Sequence, residues 1–288
     1  MKSIGYFRPK SIEETLFLIK KYNNFSKILA GGTDLLIDGR KRKYIDRYII
    51  DITFLDKLKG ITEDSNNLHI GSLTTLDEIC NSPIVNKYAK LLAESSGVIG
   101  SPQIRNRATI GGNIANASPA ADTIPALVAL QSKVTIVSVS EKKELSVQEL
   151  INGLNSTILN SDELILNIIV PKLSLSSRSK FIKLGRRNSL AISRISFAGI
   201  AEQDDNNVIN DIRLVPGSVF PRPVRLKKVE SLLYKRKPSN ELIKKAAKAA
   251  EDSLIEVTGN RWSTPYKKPV FSNLCKYLLL EILTGAEE

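Results

Sequence analysis

The chain has 288 residues, 42% of them hydrophobic and 25% charged, the balance of a soluble globular protein long enough for two domains and a sizeable core. A net charge of +12 comes with only two cysteines, too few for a four-cysteine iron–sulfur cluster, and a single histidine, which argues against a histidine-based metal centre or a Ser-His-Asp triad. No apolar run approaches the ~20 residues that span a bilayer, and MKSIGYFRPK at the N-terminus has no apolar signal segment, so a cytoplasmic protein is expected.

Ser11-Ile12-Glu13-Glu14 reads as a capping box that opens a helix with Ile12, Leu16 and Ile19 on one face. Lys27 to Ala30 is a short strand leading into Gly31-Gly32, and Leu35 to Ile37 is an apolar segment broken by Asp38-Gly39. Tyr48 to Ile52 is a strand rich in β-branched residues. Leu68 to Leu73 begins a new unit, Thr75 opens a short helix, and Tyr88 to Ser96 forms another with Ala89, Leu92 and Ala93 inward. Ile124 to Leu130 is an apolar helix, Lys133 to Ser138 a strand, and Leu164 to Val170 a strand stopped by Pro171. The serine-rich Leu173 to Ser179 is the linker. Beyond it, Ile192–Ala201 and Val208–Val215 pair across the polar turn at 203–207, and helices at 225–233, 241–253 and 272–283 close an α+β chain.

Two glycine pairs carry the most chemistry. Ala30-Gly31-Gly32-Thr33-Asp34-Leu35-Leu36 and Thr109-Ile110-Gly111-Gly112-Asn113 lie about eighty residues apart, and the second continues in small residues to Asp122. Small side chains let backbone approach a ligand closely, and amides exposed in such turns can cradle an anion. Two cradles suit a long ligand with a central diphosphate, a dinucleotide such as FAD, although neither has the G-x-G-x-x-G pattern. Taken alone, the second segment reads more simply as a tight turn and a close-packed helix start. Its combination with the first favours the cradle. His69, in a strand-like run, reads as a structural or surface residue, and Cys80 and Cys275 as reduced thiols. The basic run Arg40-Lys41-Arg42-Lys43 belongs mainly to a solvated lysine-rich surface, with docking to an acidic partner and then nucleic-acid binding as the lesser readings.

These segments, with His69-Ile70-Gly71-Ser72-Leu73-Thr74-Thr75, Pro102-Gln103-Ile104-Arg105-Asn106, Glu163 to Pro171 and Lys183-Leu184-Gly185-Arg186-Arg187, resemble the FAD-binding subunit of molybdenum hydroxylases nearly end to end. The resemblance implies a vanillyl-alcohol-oxidase-type FAD-binding domain over residues 1–172, with subdomains of about 1–57 and 58–172, and a smaller C-terminal domain of antiparallel sheet and helices over 180–288. It implies non-covalent FAD, with Leu29, Ala30, Gly31, Gly32, Thr33, Asp34, Leu35, Thr109, Ile110, Gly111, Gly112 and Asn113 around the diphosphate and ribityl chain. Asp122 would meet the sugar or flavin end, Ile99 would pack on the ring, Leu164 and Ile165 would contact the flavin, and Lys183 would approach it. The family's C-terminal serine, tyrosine and arginine have counterparts in Ser263, Tyr266 and Lys267, the last a departure at any bidentate contact.

The same resemblance implies an electron-transfer role in a larger oxidoreductase. A large molybdopterin subunit would act on the substrate, a small subunit with 2Fe-2S clusters would pass electrons on, and FAD here would deliver them to an acceptor such as NAD. A standalone flavoenzyme of the same fold is the alternative reading.

Overall fold

The computed structural model describes residues 5–41, 47–187 and 190–285, so Arg42 and Lys43 of the basic run lie outside the described residues. The first unit runs β1 (Gly5–Phe7), α1 (Ile12–Tyr22), β2 (Ser26–Leu29), α2 (Leu35–Arg40) and β3 (Tyr48–Asp51). β3 is central and parallel to both neighbours, and Leu16, Leu18 and Ile19 of α1 are buried beside Ile50 of β3. The Ser11 hydroxyl accepts the Glu14 amide at 3.1 Å, but the Glu14 carboxylate accepts the Lys10 amide at 2.7 Å, one residue before the expected return bond. Leu35 to Arg40 is helical through Gly39. The Leu36 and Asp38 amides bond back to the Gly32 and Asp34 carbonyls, so the turn set up by the glycine pair runs on as a helix despite the ~1 kcal/mol helix penalty of glycine.

The second unit follows as β4 (Ile61–Glu63), β5 (Asn67–Gly71), α3 (Leu76–Asn81), α4 (Pro83–Tyr88), α5 (Lys90–Gly97), α6 (Pro102–Arg105), α7 (Ile110–Asn116), α8 (Thr123–Ala129), β6 (Lys133–Val137), β7 (Lys142–Ser146), α9 (Val147–Leu150), β8 (Ile151–Gly153), β9 (Ser156–Thr157) and β10 (Leu164–Pro171). Its five-stranded antiparallel sheet has the order β4-β5-β10-β6-β7. Thr75 and Glu78 form a full capping box. The single helix expected from Tyr88 is two helices that meet at Ala89, where φ is −144° and ψ is 44°. Ser82 caps the earlier helix with Pro83 in its first turn, a start signal absent from the sequence reading. Ala89, Leu92 and Ala93 are buried as expected.

The third unit is β11 (Arg178–Leu184), β12 (Ile195–Gln203), β13 (Ile209–Gly217), α10 (Lys227–Leu233), α11 (Asn240–Thr258) and α12 (Thr264–Thr284). The three strands form an antiparallel sheet on which α12 packs. α12 begins eight residues before the expected start at Ser272. Pro265 sits in its first turn, where no helical bond is lost, and Pro269 is exposed, so water can serve the carbonyl its ring leaves unbonded. The largest core cluster gathers the second unit's helices and sheet, and it also takes in Phe181, Ala198, Ile200 and Val215 of the third unit's strands. Every residue of α8 is buried in it or beside it.

Candidate functional site

The two glycine segments meet, and their glycines make the meeting possible. A Cβ on Gly31 would stand 2.0 Å from the Arg107 carbonyl oxygen and 3.0 Å from the Ala108 Cα. A Cβ on Gly111 would stand 2.6 Å from the Ser72 Cβ and 2.8 Å from its carbonyl oxygen. Gly31 therefore lets the first unit lie on the backbone that enters α7, and Gly111 lets α7 lie on the loop after β5. The other member of each pair has a different task. Gly32 turns the chain at φ +75°, and Gly112 would place a Cβ near only the Thr109 hydroxyl, at 2.9 Å, and the Ala30 methyl, at 3.9 Å.

Between these segments lies a cavity of about 390 Å³. Of the residues expected at a cofactor, it is lined by Ala30, Gly31, Gly32, Thr33, Asp34, Leu35, Thr109, Gly111, Gly112, Asn113, Leu164 and Ile165. Leu29, Ile99, Ile110, Asp122 and Lys183 do not line it. Leu29 ends β2, and its carbonyl accepts the Ile52 amide at 3.0 Å. Ile110 is fully buried in the core, and Ile99 is half-buried against the same cluster.

The amides divide unevenly. Around Gly111 they are spent within the protein. Ile110 N–H donates to the Thr74 carbonyl at 3.0 Å, Gly111 to Ser72 at 2.9 Å and Asn113 to Thr109 at 2.9 Å, while Gly112 donates to the Thr109 hydroxyl at 3.2 Å. The expectation of an exposed amide turn here is corrected, because the residues form the first turn of a capped helix. In the first segment, the consecutive amides of Gly31, Gly32, Thr33 and Asp34 meet no acceptor among the described residues. Such a run of amides after a glycine turn is an anion-binding concavity. Asp34 lines the same space, and burial, with Asp38 adding repulsion, raises its carboxyl above the ordinary 3.8.

Asp122 and Lys183 lie together outside the cavity lining. Lys183 Nζ donates to Asp122 Oδ2 and to the Val98 carbonyl, both at 2.8 Å, and the Ser193 hydroxyl donates to Asp122 Oδ1 at 2.6 Å. Lys183 is thus a well-buried ion-pair partner. Burial raises the Asp122 carboxyl, and Lys183 and Ser193 pull it back only in part. The connection to the cavity is Asn113, whose Oδ1 accepts from the Thr123 hydroxyl, next along from Asp122, at 2.5 Å.

Sequence reasoning missed the polar loops at the cavity's other end. Asn23, at φ 43° on the end of α1, accepts from the Ser161 hydroxyl across the two units. Glu163 accepts the Asn160 amide at 2.8 Å and pairs with Lys143. These residues come from separate loops and share no local motif. Only Glu163 falls in a segment singled out above, as the first residue of Glu163 to Pro171. His69 pairs with Asp64 at 2.7 Å. Among the described residues no group of histidine, cysteine and carboxylate side chains is placed to hold a metal.

The arrangement of sheets and cradles is that of a flavoprotein subunit. Residues 2–173 match the family described as the FAD binding domain in molybdopterin dehydrogenase, and residues 180–282 match the CO dehydrogenase flavoprotein C-terminal domain. The chain belongs to the FAD-binding subunits of the molybdenum hydroxylase family of oxidoreductases. It is 31% identical over 291 residues to the nicotinate dehydrogenase FAD-subunit of Eubacterium barkeri, covering 100% of this chain and 98% of the relative. The carbon monoxide dehydrogenase medium chain of Hydrogenophaga pseudoflava is 27% identical over 274 residues, 95% of each chain. The solved carbon monoxide dehydrogenase from that organism, lacking the Mo-pyranopterin moiety of its cofactor, superposes with a TM-score of 0.91 at 26% identity, covering 99% of this chain and 98% of that one. No helix among the described residues is long and apolar enough to cross a membrane.

Proposed function

We propose that FAD is held non-covalently in the cavity between the glycine segments, and that the chain is the flavin relay of a three-part molybdenum hydroxylase. Electrons drawn from the substrate by a large molybdopterin subunit pass through the 2Fe-2S clusters of a small subunit to this chain. A soluble acceptor such as NAD takes them on, in the cytoplasm. The observation that carries the reading is the single cavity on which both glycine segments open, with four unclaimed amides on its wall.

The residues fit the cofactor. The amides of Gly31 to Asp34, presented by the positive-φ turn at Gly32, would receive the diphosphate, and the missing side chain at Gly112 would leave room for it. Asp34, its charge disfavoured by burial, would accept hydrogen bonds from the hydroxyls of the sugar or ribityl chain. Leu164 and Ile165 of β10 would supply apolar wall, and Asn113 would tie the site to the Asp122–Lys183 pair. When bound, FAD supplies two-electron redox chemistry, while the protein sets its position and electronics and limits access of water. Ile99, Asp122 and Lys183 would then act beyond the cavity proper, by packing and by holding the third unit to the second.

The test is the visible spectrum of the freshly purified chain, with the cofactor released by acid and identified. One equivalent of free FAD, together with co-purification of molybdenum- and iron-containing subunits, is expected. A colourless chain in the intact complex contradicts the reading, and so does a lone chain that turns over an organic substrate by itself.

A further inference from the structure

We infer that Arg194, Arg261 and Lys267, flanked by Tyr266 and Trp262, form a site for the phosphate group of a small soluble molecule. Arg194 follows Ser193, the residue bonded to Asp122, and its guanidinium lies 5.7 Å from the centre of the Tyr266 ring. Arg261 is fixed just before α12, its Nε donating to the Thr258 carbonyl at 3.0 Å and its amide to the Thr264 hydroxyl at 2.7 Å. Lys267 stands in the first turn of that helix, close enough to both arginines that its ammonium is disfavoured. Burial lowers it first, then Arg261 and Arg194. Arg194 and Lys267 are half-buried, and none of the three cations is paired with a carboxylate among the described residues. Half-burying like charges side by side opposes folding unless a counter-anion settles there.

Among the described residues, no carboxylate forms a salt bridge with these cations. The first turn of α12 carries no acidic residue, and Ser263 makes no side-chain cap. The region from 180 onward holds twenty lysines and arginines against twelve acids, whereas residues 58–179 hold ten against eleven. The cluster thus belongs to a part of the chain with a clear excess of basic residues. Cations gathered at the start of α12, with Arg194 over the ring of the residue next to Lys267, suit a multiply charged phosphate better than a single carboxylate. Trp262, 95% exposed and next to Arg261 in sequence, and Tyr266, 48% exposed with Arg194 against its ring, add aromatic surface to the cations, the pairing that a nucleotide base and its phosphate need. As the seat of a nucleotide acceptor, the site would rest on the relay reading above. Phosphate binding itself does not.

The experiment uses the FAD-saturated complex, so that the cofactor's own diphosphate site is filled. Inorganic pyrophosphate and ADP are titrated calorimetrically at low salt against the wild type, Arg194→Gln/Lys267→Gln and Trp262→Ala. Saturable binding is expected, weakened roughly tenfold or more in the double variant, since charge-assisted bonds exceed the ~1.4 kcal/mol that a factor of ten requires. Stability should move the other way, because the double variant loses a repulsion. It should melt at or above the wild-type temperature with its flavin content intact. If ADP binds more tightly than pyrophosphate and Trp262→Ala removes the preference, the phosphate comes on a nucleotide. Equal binding of the two, unaffected at Trp262, identifies an inorganic anion. Absence of saturable binding overturns the inference, as does equal binding by the double variant. The inference is likewise overturned if both probes bind the isolated FAD-loaded chain but not the complex, because a partner's acidic side chains then fill the site. Loss of flavin from the wild type would instead count against the relay reading.

Discussion

Replacing Gly31 with alanine is the sharpest test of how the cavity is made. The new methyl carbon would begin 2.0 Å from the Arg107 carbonyl oxygen and 2.8 Å from its carbon. Both are backbone atoms, so no rotamer change relieves the contact. The two segments must part by about 1 Å to restore an ordinary approach. Adding one methylene to a packed core costs about 1–3 kcal/mol, and a backbone neighbour places this case at or above the upper figure. At about 3 kcal/mol the melting temperature of a chain of this size falls by roughly 6–12 °C. The same separation displaces the Gly31–Asp34 amides from α7, and if their alignment for FAD accounts for a comparable free energy, affinity drops by about two orders of magnitude. Urea unfolding of the flavin-free subunit and fluorescence titration with FAD measure the two effects separately. A flavin-free Gly31→Ala subunit as stable as the wild type would refute the interlocking role.

Gly112→Ala is expected to do the opposite, leaving stability within about 1 kcal/mol of wild type while weakening FAD binding, because its methyl meets only Thr109 and Ala30 and stands at the cavity. Parallel melting and flavin titrations decide it. Asp122→Asn strands Lys183, 14% exposed, beside a neutral amide and should cost about 3–5 kcal/mol, with partial recovery in Asp122→Asn/Lys183→Met as read by denaturant midpoints. At Asp51, burial pushes the carboxyl up, but the Thr53 hydroxyl and amide, the Tyr6 hydroxyl and Arg8 together hold it below the ordinary 3.8. Its contribution is therefore complete above about pH 4 and lost as pH falls through the lower folded value. Across that acid limb, Asp51→Asn should show a shallower loss of melting temperature than the wild type, and equal slopes would count against the assignment.

Much of the fold was legible because local chemistry and tertiary structure agree. Thr75 and Glu78 announce α3, the β-branched residues of Tyr48–Ile52 announce β3, and the polar turn at 203–207 announces the hairpin it makes. Legibility failed where the two disagree. Pro265 and Pro269 look like stops, but each leaves unbonded only groups that water or a helix start can serve, so α12 runs through both. Gly111-Gly112 looks like a loop because glycine is rare in helices, yet Gly111 is needed there for its contact with Ser72. Twelve of the seventeen expected site residues line one cavity, since a ligand held by backbone leaves its mark as missing side chains. The polar end at Asn23, Asn160 and Ser161 left no mark, because hydroxyls and amides brought together from distant loops have no spacing to read.

The sharing of one core by Phe181, Ala198, Ile200 and Val215 with the helices before β6 bears on how this gene can be edited. The serine-rich stretch after β10 invites a cut, and two separately named families lie on either side of it. A scissor placed there would bare the wholly buried α8 on one fragment and the strand faces that cover it on the other. Neither half would be a portable cassette, and each would present the sticky apolar surface that sends expressed fragments into inclusion bodies. Chimeras between relatives should therefore exchange the whole chain, or carry α8 together with the strands it serves.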